Sequence, residues 1–438
     1  MTAPDPQRAL APPSTWRPWV PVAVLTAVTL LVVRWGARLN EEGVRLSADA
    51  APFHGRWRPL ELGQVLPAMV LAAVIVGVWP RVVERISARW LGVAGSAGSL
   101  AWASVLAITP GAERLWAPLA SRFEYLPLAR RIDDLGQFLR TYVERLPTYP
   151  THVRGHPPGP VLAMWLLDRI GLGDRGVGIV VVTVAASAVA AVVVAVRRLA
   201  DEATARRVAM FVPFAPAVVW WSSFDAALMG LVAWTTAAAT FAVTSTRPAV
   251  RRLGGATAGL GAGAVVISTY GAVPLLAPVG AVLAWGLLRR VRDVTVVAVA
   301  TSIVPVVALA AAGFWWLDGF TATRREYWAG AASFRPFGYF VVANLVVFAV
   351  AAGPAVVGSA VGAARRTVWL LSLIHISASF GSERAAGGRG SPAQAPRRTA
   401  DAPDRASMSS RSGGRLGGLP RSWATITTTT ALTAAACW

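Results

Sequence analysis

The sequence predicts an all-α, polytopic integral membrane protein with about ten transmembrane helices and a large outer loop before the fourth span. Of 438 residues, 55% are hydrophobic and only 15% are charged. Long runs of Ala, Val and Leu recur more often than soluble cores use them. The 42 basic residues, all Arg, sit in short clusters between those runs. A net charge of +20 spread in this way excludes a basic module that binds nucleic acid. Nineteen Trp suit anchoring at the two membrane interfaces, and a single Cys excludes a disulfide framework and a Cys-based metal site.

A cytoplasmic tail, 1–18, precedes the first apolar run, Trp19–Val33, and the membrane domain extends over 19–370. The first run ends in Arg34 with no small-residue cleavage site, which reads as a retained anchor and not a signal peptide. Val65–Trp79 and Trp90–Thr109 follow, joined by a short stretch with Arg81, Arg85 and Arg89. The outer polar loop covers 110–176. Within it Val161–Leu172 is apolar but short and carries Asp168 and Arg169, which predicts an interfacial or re-entrant helix. The remaining spans are Val177–Val196, Val208–Trp221, Ala226–Val243, Leu253–Thr269, Ala272–Leu288, Val294–Trp315 and Phe337–Val361. Several fall short of the ~20 residues a bilayer core asks for; flanking Trp, Pro and Arg residues extend them into the interface. Gly255-Ala-Thr-Ala-Gly259-Leu-Gly-Ala-Gly263 holds two overlapping GxxxG patterns, which predict a closely packed helix pair.

Alternating these spans from a cytoplasmic N-terminus places 17 Arg and 5 acids on the inner stretches, a net of +12. The longer outer stretches hold 17 Arg and 14 acids, a net of +3. Arg density in short loops orients a membrane protein, so the N-terminus is expected inside the plasma (inner) membrane. From Leu371 to Trp438 the chain turns to Ser, Gly, Arg, Thr and Pro, a composition expected to be disordered. Leu371-Ser-Leu-Ile-His-Ile-Ser377 also resembles the in-frame translation of a sequencing-library transposon adapter. The tail 371–438 is therefore expected to be chimeric; an uninterrupted native reading frame on resequencing across residue 371 would remove that expectation.

The outer stretches carry the polar features that suggest chemistry. The large loop holds Phe123-Glu-Tyr125 and Pro147-Thr-Tyr-Pro-Thr-His-Val-Arg-Gly-His-Pro-Pro-Gly-Pro160. Asp225 follows Trp220-Trp-Ser-Ser-Phe224 between two apolar segments, where a buried acid is costly. Tyr270 sits at the next outer turn. Trp315-Trp-Leu-Asp-Gly-Phe-Thr-Ala-Thr-Arg-Arg-Glu-Tyr327 leads on to Phe334-Arg-Pro336.

Residues Glu124 to Leu167 resemble the first outer loop of the GT-C membrane glycosyltransferases. The likeness extends over about 90–345. That loop carries an acid soon after a spanning helix, then a short amphipathic helix, then a His- or Lys-Pro-Pro motif. Here Glu124-Tyr125 matches the acid, Arg130–Val143 the amphipathic helix and His156-Pro157-Pro158 the Pro-Pro element. Asp225 resembles the acid of a later outer turn. The chain departs from the family in having a single acid between Phe123 and Tyr125, and Gly159 where Leu is commoner.

The resemblance implies transfer of a sugar from a polyprenyl-phosphate donor to an envelope glycan, lipid or protein. Such transfer needs a base for the acceptor hydroxyl, for which Glu124 stands first, with Asp225 as the second catalytic acid. The departing phosphate needs positive charge or a divalent metal ion, and the metal is left open. Arg154, Arg335 and the Arg324-Arg325 pair can supply bidentate contacts. His152 or His156 can ligate a metal or bridge to phosphate. Tyr125, Tyr149, Tyr270 and Trp316 offer faces for sugar stacking, and Tyr327 lies beside the arginine pair.

Each of these residues also has a plainer reading. His156-Pro-Pro-Gly can be a rigid helix start. Asp133 and Asp134 can face water on the amphipathic helix beside Arg130 and Arg131. Asp318 and Glu326 can pair with Arg324 and Arg325, and Arg335 can be an interfacial anchor. The rival functions are a transporter or flippase of a lipid-linked or amphiphilic substrate, and a non-catalytic membrane protein. The near absence of ionisable residues inside the spans weighs against a coupled transporter.

Overall fold

The computed structural model describes residues 19–48, 50–53, 59, 61–220, 222–354 and 356–358. Over them the chain is helical, with one isolated bridge between Ala50 and Phe53 and no strand. The tail 1–18, the end of the tenth expected span beyond 358, Arg365, Arg366 and the tail 371–438 lie outside the described residues.

The helices run α1 (Trp19–Glu41), α2 (Leu62–Arg85) and α3 (Ala88–Ile108) before the long polar loop 110–176. The loop carries α4 (Leu126–Ala129), α5 (Leu135–Arg140), α6 (Tyr142–Arg145), α7 (Thr151–Arg154) and α8 (Gly159–Arg169). Then come α9 (Gly173–Leu199), α10 (Glu202–Phe211), α11 (Phe224–Thr244), α12 (Pro248–Val266), α13 (Ala272–Leu275) and α14 (Ala277–Leu288). The described chain closes with α15 (Arg292–Ala311), α16 (Trp316–Ala329) and α17 (Phe337–Ala352). Six of these, α1, α2, α3, α9, α11 and α15, are long and apolar enough to cross a membrane, the pattern of a multi-pass membrane protein.

The other expected spans are shorter, interrupted or Arg-bearing helices. Val208–Trp221 is not one helix: α10 ends at Phe211, and two 3-10 turns carry the chain to Trp220. Pro213 and Pro216 lack the amide hydrogens an α-helix would need there. The Ser99 hydroxyl donates to the Pro213 carbonyl, an acceptor the missing helical turn leaves open. Ala272–Leu288 divides into α13 and α14 at Leu276, with Pro274 and Pro278 on either side. The first turns of α12 carry Arg251 and Arg252, and α17 stops at Gly353, whose φ of 87° suits glycine.

The bundle is a row in which α3 packs on α9, α9 on α11, α11 on α12 and α12 on α15. Half of the apolar window of α9 and of α11 is buried inside the protein, against 6% for α2. The first two are therefore core helices, and α2 presents nearly all of its apolar surface outward. The GxxxG expectation is met by α12 and α15. A Cβ at Gly259 would collide with the Ala298 carbonyl and the Thr301 hydroxyl, and one at Gly263 with the Ser302 carbonyl. Near the N-terminal ends of the same two helices Arg251 pairs with Asp293. At the edge α1 meets α17, where Trp35 packs edge-on against Tyr339 at 5.1 Å.

The segment 110–176 is no loose excursion. Leu126, Tyr142, Leu146, Val153 and Val161 are fully buried, and they join Val177 of α9, Leu228 of α11, Val265 of α12 and Phe314 in one apolar cluster. The expected amphipathic helix Arg130–Val143 begins only at α5, where Asp134 caps the helix by accepting from the Gln137 amide at 2.8 Å, and α5 gives way to α6 at Thr141. Arg130 does not balance Asp133 and Asp134. It donates to Asp168 at 2.9 Å and Asp174 at 2.6 Å, tying the start of the loop to α8 and α9.

Candidate functional site

The site begins where the loop crosses itself. The Phe123 carbonyl accepts from the His152 amide at 3.1 Å, so the segment holding Glu124 lies against α7. Glu124 is 4% exposed, and its carboxylate accepts from His152 Nδ1 at 2.8 Å. Next to this pair Tyr125 Oη lies 3.0 Å from His156 Nδ1, and that nitrogen is also 2.9 Å from the His152 carbonyl. Four residues quoted for the family resemblance or beside it, Glu124, Tyr125, His152 and His156, thus form one hydrogen-bonded group. A buried carboxylate held by an imidazole has its orientation fixed, which acid–base chemistry needs.

The turn carrying the histidines is pinned from below. Tyr142, completely buried, donates to the Val153 carbonyl at 3.1 Å and the His156 carbonyl at 2.8 Å. Burial pushes its ionisation well up, with Tyr270 and Tyr149 nearby adding to the effect. Burial also raises Tyr149, against the lowering by Arg145. Removing the Tyr142 hydroxyl leaves two carbonyls short of a donor. Tyr142→Phe is therefore expected to lower stability by about 1–3 kcal/mol; a midpoint in denaturant equal to wild type would show that the hydroxyl does not hold the turn. At the far end of the turn the Gly159 amide donates to the Ile267 carbonyl at 2.9 Å. A Cβ on Gly159 would strike that carbonyl, so this close contact needs a glycine here.

The other expected residues stand at graded removes. Arg154, on α7, pairs with Glu326 of α16 at 3.5 Å, and the Thr323 hydroxyl donates to the Arg154 carbonyl at 2.9 Å. Glu326 therefore serves Arg154 and not the adjacent Arg324 and Arg325. Tyr327 is half-buried on the same helix, its ring against Trp328. Asp225 lies in the first turn of α11, where a negative charge suits the helix dipole. The preceding Phe224 packs its ring on Tyr125 at 5.3 Å, bringing the start of α11 to the site. Tyr270 is 8% exposed against Trp316 and Phe320, and burial raises its ionisation. Arg335 is not part of this group. Its guanidinium sits over Phe340 at 5.0 Å beside the α1–α17 contact.

Sequence reading missed Tyr142, the Arg154–Glu326 pair and the Ile267 carbonyl, because each acts across a sequence gap that no local pattern marks. Among the described residues no group of three His, Cys, Asp or Glu side chains is placed to hold a metal ion. Comparison with protein-family models, with curated proteins and with solved structures finds no match for this chain.

Proposed function

We propose that the protein is a membrane glycosyltransferase acting at the outer face of the plasma membrane. It moves a sugar from a polyprenyl-phosphate donor to an envelope glycan, lipid or protein. In this reading ten spans, the shorter and interrupted helices included, leave the N-terminus in the cytoplasm and the loop 110–176 outside. The observation that carries it is the buried Glu124–His152 pair, within the loop quoted for the resemblance and next to the start of α11. Acid–base groups held rigidly at a membrane surface suit deprotonation of an acceptor hydroxyl. Arg154, Arg324 and Arg325 supply the positive charge that a departing lipid phosphate needs. Asp225 is the second acid of the site.

The test uses the full chain in lipid vesicles with labelled polyprenyl-phosphate sugars. Wild type is expected to transfer sugar, and Glu124→Gln to lower kcat by about 10²–10⁴-fold, the range for a lost acid–base group. Asp225→Asn is expected to lower it as well. Turnover at the wild-type rate in Glu124→Gln, or no transfer by wild type from any such donor, would overturn the reading.

A further inference from the structure

His156 Nδ1 stands 2.9 Å from the His152 carbonyl oxygen and 3.0 Å from Tyr125 Oη. A carbonyl oxygen only accepts, so the hydrogen in the first contact belongs to Nδ1. The same carbonyl also accepts from the Gly155 amide at 3.1 Å, which uses both of its lone pairs. Tyr125 Oη then receives a share of the Nδ1 hydrogen as a second acceptor. The partner of one ring nitrogen sets the tautomer, and the other nitrogen of a neutral imidazole keeps its lone pair.

We infer that His156 is held as the Nδ1–H tautomer and presents Nε2 as the proton-accepting atom of the site, with Glu124 and His152 as positioning residues. This rests on the glycosyltransferase reading for its substrate and changes the assignment of the base within it. Glu124 is buried, and its Oε1 is already bonded to His152. His156 is half-buried and its ring is fixed at Nδ1. The chain of support runs from the Glu124 carboxylate to the His152 ring, and from the His152 backbone carbonyl to the His156 ring. Tyr142 holds the His156 carbonyl from the opposite side. Pro157 restricts the backbone of His156 itself to extended conformations. The imidazole is thus anchored on both sides before any substrate arrives, which is what pre-organised proton transfer asks for.

In the transfer step the acceptor oxygen bonds to the anomeric carbon as its proton passes to His156 Nε2. The bond from that carbon to the phosphate oxygen breaks, and its electron pair leaves with the polyprenyl phosphate. The imidazolium then returns the proton to solvent.

Nitrogen NMR on the full chain labelled at histidine tests the tautomer with no substrate present. There are only 4 His, and the His156 signals are those that vanish in His156→Asn. The expected result, above the titration of the ring, is a pyrrole-type Nδ1 and a pyridine-type Nε2, unchanged in Tyr125→Phe. A pyridine-type Nδ1 in wild type would overturn the inference. The second arm is kinetic. The Asn amide occupies the place of Nδ1 and can still donate to the His152 carbonyl, but it offers no base. His156→Asn is expected to lower kcat by about 10²–10⁴-fold with KM within a few-fold and the unfolding midpoint unchanged. Wild-type kcat in His156→Asn would also overturn it. The spectroscopic arm reads the lone pair whatever the substrate proves to be, so its failure is distinct from failure of the glycosyltransferase reading.

Discussion

Gly259→Leu is expected to force α12 away from α15 and to cost about 3 kcal/mol, the upper end for overpacking a close contact. No side chain fits there, since even a Cβ meets the Ala298 carbonyl and the Thr301 hydroxyl, both on helix backbone or at its surface. Between apolar helices in a bilayer, association comes from close van der Waals contact and hydrogen bonds, not from expulsion of water. The loss of approach is therefore felt directly. Thr301 also donates to the Ala256 carbonyl at 3.2 Å, a bond across the two helices that separation would break. Gly77→Leu is the matched control: nothing lies within 4 Å of a Cβ at that position, on a helix that faces outward. Thermal unfolding in detergent should show a large drop for the first variant and none for the second. Equal midpoints would show that the GxxxG run does not set the α12–α15 contact.

His152→Ala is expected to be more damaging to the fold than Glu124→Gln. The first removes the imidazole and strands a carboxylate whose side chain is only 6% exposed. Leaving a buried acceptor without its donor costs about 1–3 kcal/mol, and more for a charged group. The second leaves an amide oxygen that still accepts from His152 Nδ1, and it should cost about 1 kcal/mol. Combining the two should recover much of the loss of the first, since the stranded group is then neutral. A coupling of about 1–3 kcal/mol in that double-mutant cycle, read from denaturant midpoints, is the expected outcome. Strict additivity would show that the two side chains do not sense each other.

Most of the site was legible as residue types in one stretch of chain, yet the contacts among them were not. Glu124, Tyr125 and His156 were picked out by the likeness to the GT-C loop, and His152 as a further histidine between those matched elements. The roles within the group depend on which nitrogen meets which oxygen, and that follows from the backbone crossing at Phe123 and His152. Arg335 shows another case: an Arg-Pro beside an apolar helix reads equally as phosphate ligand or anchor, and no local pattern marks its seat over Phe340. The amphipathic pattern over Arg130–Val143 misled for a local reason. Asp134 is a better helix cap than a mid-helix residue, and Arg130 finds two carboxylates outside the segment.

The sequence by itself determined the apolar helical character, the small-residue seam of α12 and the polar company of the loop 110–176. Those are properties of composition and short-range spacing, which hydropathy and steric size make readable. Tertiary structure alone decided which helices reach full length, because Pro213, Pro216 and Pro274 break helices only where other groups take up the freed carbonyls, as Ser99 does for Pro213. It also decided that Glu124 is buried on His152, that Glu326 serves Arg154, and which oxygens stand next to His156 Nδ1. Burial and hydrogen bonding across tens of residues depend on where the backbone crosses itself, and that geometry has no signature in the order of neighbouring residues.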